Sequence, residues 1–420
     1  MRISVFVAYY EPEIAASLYI VTNIYEAMAD FGWDVDLFVP MPTRGVDDDT
    51  RKLYKKRKLE TKCNGNLKIH RFSMMREGEN TFLRAIRYLI VNLVFIWKGL
   101  WTPTDLIFVH STPPTQGAMA AILKKFKRVP MVYNLQDIFP DSLVNTGMAK
   151  QDSLLWKIGR VIERFTYKNA DKIIVISEDF KQNIIAKGVP IDKIELIYNW
   201  VDENAVVNIE RDQNRLFDKY GLDRNRFYIT HCGNIGLTQN MDMLLEAAKE
   251  LEQHSDIVFI LVGDGAYKAE VENKIAEKDI KNVKLLPFQP YEDISYVFSM
   301  GDVGLIISKK NVGQNSVPSK TWSIMSAERP ILASFDIDSE LSSIVKQANC
   351  GLCVQADEKG ALIDAILHLF ENRYEARLMG RNGRKYILNN LTRAAGTSKY
   401  INLLNAFDKK PPDSIIDFNS

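Results

Sequence analysis

The groups best suited to bind an anion lie in residues 313–334, which combine a polar loop, a short helix and a strand. Ser319 is predicted to cap the helix, and Pro318 prevents the helix from beginning earlier. Such a start exposes unpaired backbone N–H groups beside a hydroxyl, at Ser316 or Ser319, and the ammonium of Lys320. Together these groups would bind a diphosphate. The same pattern is also typical of an ordinary loop-to-helix turn in an α/β domain.

A second polar set follows the apolar runs of the C-terminal half. Gly233 and Gly236 come after one predicted strand, residues 263–265 after the next, and Phe288 after the third. Glycines let a backbone approach a phosphate, although this is neither a G-x-G-x-x-G pattern nor a Walker loop. Phe288 could pack on a base, and a core position is an equal alternative. Successive strand ends with small, polar or turn-forming residues predict a ligand-binding edge more strongly than any one motif.

Polar residues also follow predicted strands in the N-terminal half. Glu11 and Glu13 come after the first strand, His110 ends another, and Asp137 and Asp141 follow a third. A ligand-facing role for His110 competes with a structural one. The two aspartates are four residues apart and could orient a hydroxyl or cap a helix, and capping is the interpretation preferred for Asp141.

These residues need a scaffold that brings strand ends together. Strand-like runs alternate with runs of helical spacing along both halves, which is typical of βαβ units and a parallel sheet. Open parallel sheets bind ligands at the carboxyl ends of their strands, where the strand order reverses. The predicted strands are residues 3–8, 35–39, 106–110, 131–134, 172–176, 228–231, 257–262, 283–286, 303–307 and 331–333. The predicted helices are residues 14–31, 117–126, 153–169, 241–252, 267–278, 291–300, 361–371 and 373–406.

The chain is therefore predicted to be an α/β protein with two doubly wound, Rossmann-like domains whose parallel sheets face a cleft. Its 420 residues exceed one typical core. The predicted domains are residues 1–200 and 201–385. Residues 386–420 are predicted to form a helix that packs back toward the N-terminal domain, followed by a polar tail.

Composition limits the classes of function. The chain is 46% hydrophobic and 25% charged, as in ordinary soluble proteins, and its net charge of +1 argues against nucleic-acid binding. Four irregularly spaced cysteines are typical of a reducing compartment, and we interpret Cys350 and Cys353 as structural rather than zinc-binding. The N-terminus runs directly into a strand-like segment, so no signal peptide is expected.

The most apolar stretch, residues 82–101, is interrupted by basic residues. Its apolar core is about half of the roughly 20 residues that a membrane-spanning helix needs. Residues 51–98 contain 13 Lys/Arg against three acids, and a second basic cluster occupies residues 124–128. A basic stretch beside an aromatic-rich apolar helix is attracted to an anionic membrane surface. A solvated charged face beside a core helix is the alternative.

Eight short motifs carry a family resemblance. They are YYEPE at 9–13, QDIFPDS at 136–142, VISE at 175–178, NWVD at 199–202, GNIG at 233–236, VGDG at 262–265, VPSK at 317–320 and ERP at 328–330. With these motifs, over nearly its whole length, the chain resembles the bacterial GT-B glycosyltransferases. The resemblance is to retaining family 4 and its surface-polysaccharide subgroup, the N-acetylfucosaminyltransferase and colanic-acid type. The order and spacing of the eight motifs together are specific to this family, whereas no single motif is specific by itself.

The resemblance implies that the C-terminal domain binds a nucleotide sugar and the N-terminal domain an acceptor, with transfer by retention. It also implies a histidine near the transferred sugar, glycines facing the donor phosphates, and a base held near residue 288. The predicted catalytic residues are His110, Lys320 and Asp137. The predicted donor-binding residues are Gly233, Asn234, Gly236, Gln239, Asp264, Phe288, Asn315, Ser316, Val317 and Ser323. The predicted acceptor-binding residues are Glu11, Glu13 and Ser111.

The chain departs from the family pattern at charged positions. Many members carry two glutamates spaced E-x7-E, where this chain has Asn315 and Ser323. A basic pair usually follows the glycine turn, where this chain has Asn234 and Gln239. Lys320 is then the remaining cation for the leaving diphosphate. Three explanations of these departures remain: the site is rebuilt, the donor differs, or catalysis is weak. The intact segment 316–320 favours a rebuilt site.

The sequence therefore predicts transfer of a sugar, UDP-linked, to a glycan on a polyprenyl diphosphate, in bacterial surface polysaccharide synthesis. The nucleotide sugar is a substrate, and no cofactor and no metal requirement is predicted, because no metal triad is visible. A cytoplasmic enzyme, peripheral on the inner face of the cell membrane and without affinity for nucleic acid, is expected. The alternatives are a nucleotide-sugar epimerase of the same superfold and a non-catalytic subunit of a polysaccharide-assembly complex.

Overall fold

A computed structural model describes residues 1–13, 18–76, 81–145, 149–311 and 317–409. The chain divides into two compact units. The N-terminal unit comprises Met1–Tyr198 together with the chain from Gly396 onward, and the C-terminal unit comprises Asn199–Ala395. Within the described ranges, no helix has the length and apolar character needed to cross a bilayer.

The N-terminal unit is built on one eight-stranded sheet. Its strands are β1 (Arg2–Phe6), β2 (Asp34–Pro40), β3 (Leu59–Lys62), β4 (Leu67–Phe72), β5 (Leu106–His110), β6 (Met131–Leu135), β7 (Lys172–Val175) and β8 (Ile194–Leu196). They lie in the order β3-β4-β2-β1-β5-β6-β7-β8, and every neighbouring pair is parallel except β3 and β4. Its helices are α1 (Leu18–Asp30), α2 (Asp48–Lys56), α3 (Thr81–Trp101), α4 (Thr115–Lys127), α5 (Asp141–Asn145), α6 (Leu154–Asn169) and α7 (Glu178–Ala186).

Helices α3, α4 and α6 pack side by side on one face of this sheet. Successive side chains of a strand point to opposite faces, and β5 shows which residues face which layer. Val109 belongs to the apolar core under α3, α4 and α6. Phe108 and His110 point the other way, where their rings meet Tyr400 and Tyr25, the latter on α1. The two faces of the sheet are therefore covered by different helices.

The C-terminal unit is built on six parallel strands. These are β9 (Phe227–Cys232), β10 (Ile257–Val262), β11 (Val283–Leu286), β12 (Val303–Ile307), β13 (Ile331–Phe335) and β14 (Gly351–Gln355). Its helices are α8 (Arg215–Lys219), α9 (Met241–Glu250), α10 (Lys268–Glu277), α11 (Ile294–Phe298), α12 (Lys320–Ser326), α13 (Glu340–Ala348), α14 (Lys359–Glu371) and α15 (Arg373–Asn390). The prediction of two Rossmann-like α/β domains is confirmed.

The strand order of the C-terminal sheet is β11-β10-β9-β12-β13-β14. The chain runs outward in one direction from β9 and in the other direction from β12, so the order reverses between these two neighbours. In parallel α/β sheets this reversal opens a crevice at the carboxyl ends of the strands. The turns after β9 and β12 therefore lie at the position where a ligand is expected.

The predicted helix over residues 373–406 is wrong in one respect, because the structure has two helices there. Helix α15 ends before Leu391. The next helix, α16 (Arg393–Asn405), begins where Thr392 Oγ1 accepts a hydrogen bond from Ala395 N at 3.1 Å. From Gly396 this helix belongs to the N-terminal unit. Trp33 Nε1 donates to Asp408 at 2.8 Å, which fixes the end of the described chain on that unit.

Candidate functional site

The carboxyl edge of the C-terminal sheet brings together the turns after β9 and β10. Gly263 has φ +155°, and a Cβ there would lie 1.8 Å from the carbonyl oxygen of Gly233. Gly265 has φ +158°, and a Cβ there would lie 2.3 Å from the carbonyl oxygen of Ile235. Only glycine tolerates these contacts and these backbone angles. The two turns thus pack backbone against backbone beside the reversal of strand order.

Lys320, the first residue of α12, lies over the turn after β9. A Cβ on Gly233 would be 3.5 Å from Lys320 Nζ, and Nζ itself lies 3.3 Å from His231 Nε2. In the part of the chain that the structure describes, Lys320 forms no ion pair with a carboxylate. Burial lowers the pKa of Lys320 to about 8. The ammonium is therefore mostly charged at neutral pH, and its charge is not compensated by a described acid.

His231 is a functional candidate that sequence reasoning missed. It lies one residue before the end of β9 and is fully buried. Burial, followed by the nearby charge of Lys320, lowers the pKa of His231 to about 3, so its imidazole is neutral. Its Nδ1 lies 3.3 Å from the carbonyl oxygen of Leu305 in β12. The only signal in the sequence was a histidine just before a strand end that leads into a glycine turn.

The predicted cap of α12 is wrong. Ser319 has helical backbone angles, φ −57° and ψ −28°, and its side chain makes no capping hydrogen bond. The backbone N–H of Thr321 already donates to the carbonyl oxygen of Pro318 at 2.9 Å, so the helical turn forms without a side-chain cap. The capped helix start that the sequence predicted is therefore absent, and the charged group at the start of α12 is the side chain of Lys320.

The other predicted residues of segment 315–323 are placed only in part. Val317 and Ser323 are half-buried, on either side of the start of α12. Asn315 and Ser316, two of the predicted donor-binding residues, lie outside the described residues.

Three predicted donor-binding side chains bond to the turns themselves. Gln239 Oε1 accepts from the backbone N–H of Gly236 at 3.0 Å, which closes the turn after β9. Asn234 Nδ2 lies 3.5 Å from the same oxygen. Asp264 Oδ1 accepts from Gly265 N at 2.8 Å. Asn234 and Asp264 are nevertheless exposed, so both keep polar atoms in contact with solvent.

Phe288 follows β11 at the same edge, and its side chain is 75% exposed. A core position, the alternative considered from the sequence, is therefore wrong. An exposed aromatic ring at a sheet edge offers a flat apolar face, which is the surface on which a base stacks.

The corresponding edge of the N-terminal sheet is arranged differently. Glu13, a predicted acceptor-binding residue, is only 3% exposed. Its Oε1 accepts from the backbone N–H groups of Thr43 and Arg44 at 2.7 and 3.0 Å, and its Oε2 accepts from Tyr10 N at 3.3 Å. The carboxylate therefore ties the turn after β1 to the turn after β2.

Ser111 is also used internally. Its Oγ accepts from the backbone N–H groups of Gln136 and Asp137 at 2.9 and 3.1 Å, which joins the ends of β5 and β6. The Asp137 side chain remains exposed and accepts from Ser142 Oγ at 3.1 Å. Partial desolvation raises the pKa of Asp137. Asp141, which we expected to cap a helix, is the first residue of α5, and its carboxylate accepts from Lys187 Nζ at 2.7 Å.

His110 is buried behind this edge. Its Nε2 lies 2.6 Å from Tyr25 Oη, and its Nδ1 has no hydrogen-bond partner among the described residues. Burial lowers the pKa of His110 to about 3, so the ring is neutral. Glu11, in contrast, keeps a partly exposed carboxylate, to which Lys62 Nζ donates at 2.6 Å. Over the described ranges, no group of three or more His, Cys, Asp or Glu side chains is arranged to hold a metal ion.

Two family descriptions match the chain. The "Glycosyl transferase 4-like domain" matches residues 19–200, and "Glycosyl transferases group 1" matches residues 212–386. The boundary between the two matches falls where the structure divides into its units, near Asn199.

Two curated relatives are similar over part of their length. The putative colanic acid biosynthesis glycosyl transferase WcaI of Escherichia coli K12 is 25% identical over 270 residues, which is 63% of this chain and 66% of that protein. The probable glycosyltransferase WbjE of Pseudomonas aeruginosa is 27% identical over 247 residues, 58% of this chain and 60% of that protein. The chain thus matches less than two thirds of the length of each.

A solved structure extends the likeness to the whole fold. The crystal structure of Anabaena Alr3699/HepE in complex with UDP-glucose superimposes with a TM-score of 0.70 at 16% identity, covering 97% of this chain and 100% of that one. The fold is accordingly GT-B. With one glycosyltransferase domain matched to each half, the chain belongs to the GT-B glycosyltransferases of family 4.

Proposed function

We propose that this protein transfers a sugar, with retention of configuration, from a UDP-sugar to a glycan on a polyprenyl diphosphate. The observation that carries the donor half of this proposal is the uncompensated ammonium of Lys320 beside the turn of Gly233 and Gly263. Lys320 is half-buried, and a partly desolvated cation without a counter-ion is costly, so an anionic ligand would offset that cost. A diphosphate at this edge would supply the missing charge.

The same ammonium would act in the transfer step. When UDP leaves, negative charge develops on its β-phosphate, and preorganised positive groups stabilise that charge most strongly in a water-poor site. Lys320 would donate charge-assisted hydrogen bonds to the departing phosphate. The exposed ring of Phe288 would stack on the base, and the glycine turns, which carry no side chain, would let the diphosphate approach the backbone beside Lys320. No metal and no further cofactor is required in this proposal.

On the acceptor side, the residues divide into two roles. Glu13 and Ser111 would shape the acceptor surface by holding its turns in place, since their polar atoms are bound internally. Glu11 and Asp137 keep exposed carboxylates that could orient sugar hydroxyls. His110 would act through Nδ1, the nitrogen that Tyr25 does not occupy.

A role in surface polysaccharide synthesis is supported by the names of similar proteins. The Escherichia coli relative is named for colanic acid biosynthesis, and the Anabaena structure holds UDP-glucose.

A donor screen tests the proposal directly. We expect nucleotide release from one UDP-sugar when membrane lipid extract is supplied as acceptor, and no release from GDP-sugars.

One other outcome of the screen, and one outcome of a binding measurement, would contradict the proposal. Release of a free, epimerised sugar from the UDP-sugar without lipid would identify an epimerase. Absence of UDP binding in calorimetry would identify a non-catalytic subunit of an assembly complex.

We also propose that the enzyme works on the inner, cytoplasmic face of the cell membrane, through helices α3, α4 and α6. Exposed apolar side chains line these neighbouring helices at helical spacing: Leu89, Leu93, Trp97 and Trp101 on α3, Ile122 and Phe126 on α4, and Leu154, Ile158 and Val161 on α6. Trp101 is 78% exposed and Phe126 69%. Exposed apolar rows of this kind mark interaction surfaces.

The charges on these three helices match an anionic lipid surface. Their only acid, Glu163, is buried and paired with Arg160 and Lys187. The basic residues that keep some exposure are Arg84, Lys98, Lys124, Lys125, Lys127, Lys157, Arg160, Arg164 and Lys168. Aromatic and aliphatic groups flanked by Lys and Arg bind the lipid headgroup region.

Vesicle sedimentation tests the membrane proposal. The wild-type protein should sediment with vesicles that contain anionic lipid, and high salt should weaken this binding because it screens the charges. The double variant Trp97→Gln and Trp101→Gln should lose most of the binding. Tyr374→Gln, which changes an exposed aromatic of the C-terminal unit, is the matched control. Equal sedimentation of both variants would contradict the proposal.

A further inference from the structure

We infer that His231 is a positioning residue for Lys320: its neutral imidazole holds the ammonium beside the turn after β9 without cancelling its charge. This inference rests on the proposed donor-binding role of Lys320. It concerns a residue that neither the motifs nor the departures from the family pattern singled out.

The geometry assigns a direction to each hydrogen bond of the ring. Nδ1 faces the carbonyl oxygen of Leu305 at 3.3 Å, and a carbonyl only accepts. Nε2 lies 3.3 Å from Lys320 Nζ, and an ammonium only donates, so Nε2 accepts and Nδ1 carries the proton of the neutral ring. The carbonyl oxygen of Asn234 is also 3.3 Å from Nε2, but an unprotonated nitrogen cannot donate to it. One ring thus links β9, β12 and the first residue of α12.

The choice of partner matters because of charge. A carboxylate in place of the imidazole would form an ion pair with Lys320 and would compete with a diphosphate for the same ammonium. The other titratable neighbour on β9, Cys232, does not neutralise it either, because burial raises the pKa of that thiol to about 12. Lys320 is therefore held by groups that are neutral at physiological pH, and its full charge stays available to an anion.

The decisive experiment compares His231→Gln with His231→Glu, two side chains of nearly equal shape that differ in charge. Glutamine offers a neutral acceptor oxygen to Lys320. The UDP affinity of the His231→Gln variant, measured by calorimetry, should therefore be within about threefold of the wild-type affinity. Glutamate should weaken UDP binding at least tenfold, although its ion pair should keep the thermal midpoint at or above that of the glutamine variant. Equal UDP affinities of the two variants would overturn the inference.

The pH dependence of UDP binding separates positioning from a purely structural role. Removing the acceptor with His231→Leu destabilises the charged form of Lys320, so the pH at which UDP binding declines should move down. His231→Glu should move it up, because the carboxylate stabilises the ammonium. A midpoint that is the same in wild type and both variants would contradict the proposed contact.

One control separates this inference from the donor proposal itself. If Lys320→Ala binds UDP as wild type does, the donor role of Lys320 fails. The His231 contact can still be tested in the free protein, by nuclear magnetic resonance titration of the Lys320 ammonium. An unchanged Lys320 pKa in both His231→Leu and His231→Glu would overturn the contact without any ligand present.

Discussion

The carboxyl edges of the two sheets differ in how their buried and charged candidate residues are partnered. On the N-terminal sheet, Glu13 is occupied by backbone N–H groups and His110 is bonded to Tyr25. On the C-terminal sheet, the partner of Lys320 among the described residues is a neutral imidazole, and Phe288 is exposed. A polar residue at a strand end thus predicts ligand contact only where the fold leaves its charge or surface unused. At the N-terminal edge these residues are engaged by internal bonds, whereas at the C-terminal edge an ammonium without an acidic partner among the described residues and an exposed ring are available to a ligand.

The largest expected effect comes from Lys320→Ala. Turnover with the donor identified in the screen should fall at least 100-fold, about 2.7 kcal/mol, because the departing diphosphate loses its cation. Lys281→Ala, which removes an exposed lysine of the same unit, should leave turnover unchanged. If turnover falls by less than tenfold, about 1.4 kcal/mol, Lys320 does not stabilise the departing diphosphate as proposed.

Glu13→Gln tests whether Glu13 stabilises the turns at the carboxyl edge of the N-terminal sheet. The amide retains the shape of the carboxylate but turns a donor toward backbone N–H groups, so the N-terminal unit should lose about 2 kcal/mol of unfolding free energy. UDP affinity should not change, since Glu13 belongs to the other unit. Denaturant unfolding and calorimetry measure the two quantities. Weaker UDP binding at unchanged stability would reverse the assignment of the two edges.

Phe288→Ala should have an intermediate effect. Stacking of a base on an aromatic ring contributes roughly 1–3 kcal/mol, so UDP affinity should fall about tenfold. The thermal midpoint should stay the same, because a ring that is 75% exposed contributes little to the core. Tyr374→Ala is the control for removing an exposed ring from this unit. If both variants bind UDP alike, Phe288 is not part of the donor site.

The smallest effect is a pH dependence. Burial lowers the pKa of Lys320 to about 8, so the ammonium that binds the anion is lost as the pH rises through that value. UDP affinity should be constant near pH 7 and should decline above pH 8, by up to about tenfold per pH unit. Lys320→Arg should flatten this decline, because a guanidinium stays charged. An equal decline in wild type and Lys320→Arg would assign the titration to another group.

Much of the fold was predictable because its signals are local. The strands Leu106–His110, Ile257–Val262, Val283–Leu286 and Val303–Ile307 have the predicted bounds. The first, second and fourth are apolar-rich runs in which every residue is buried, which is the pattern of central parallel strands. The strands β3, β4, β8 and β14 were not predicted. Leu59–Lys62 is mostly polar, and Leu67–Phe72 alternates buried apolar residues with charged or half-buried ones. Ile194–Leu196 and Gly351–Gln355 have apolar runs of at most three residues, which are too short for a clear strand signal.

The candidate site was predictable only where local chemistry was sufficient. Gly233 and Gly263 were recognisable as glycine turns after strands, and Lys320 as a cation at the predicted start of a helix. His231 was not, because its partner Lys320 is 89 residues away along the chain. The predicted cap Ser319 failed because the backbone turn there forms without its hydroxyl.

By itself, the sequence determined the alternation of strands and helices, the glycine turns and the family, because these depend on residue type and short spacing. The tertiary structure decided which polar groups remain available. It placed Tyr25 against His110 across 85 residues, and it placed the neutral imidazole of His231 against Lys320 across 89 residues. Burial and pairing set the charge of a group, and both arise from contacts between distant segments that no local pattern records.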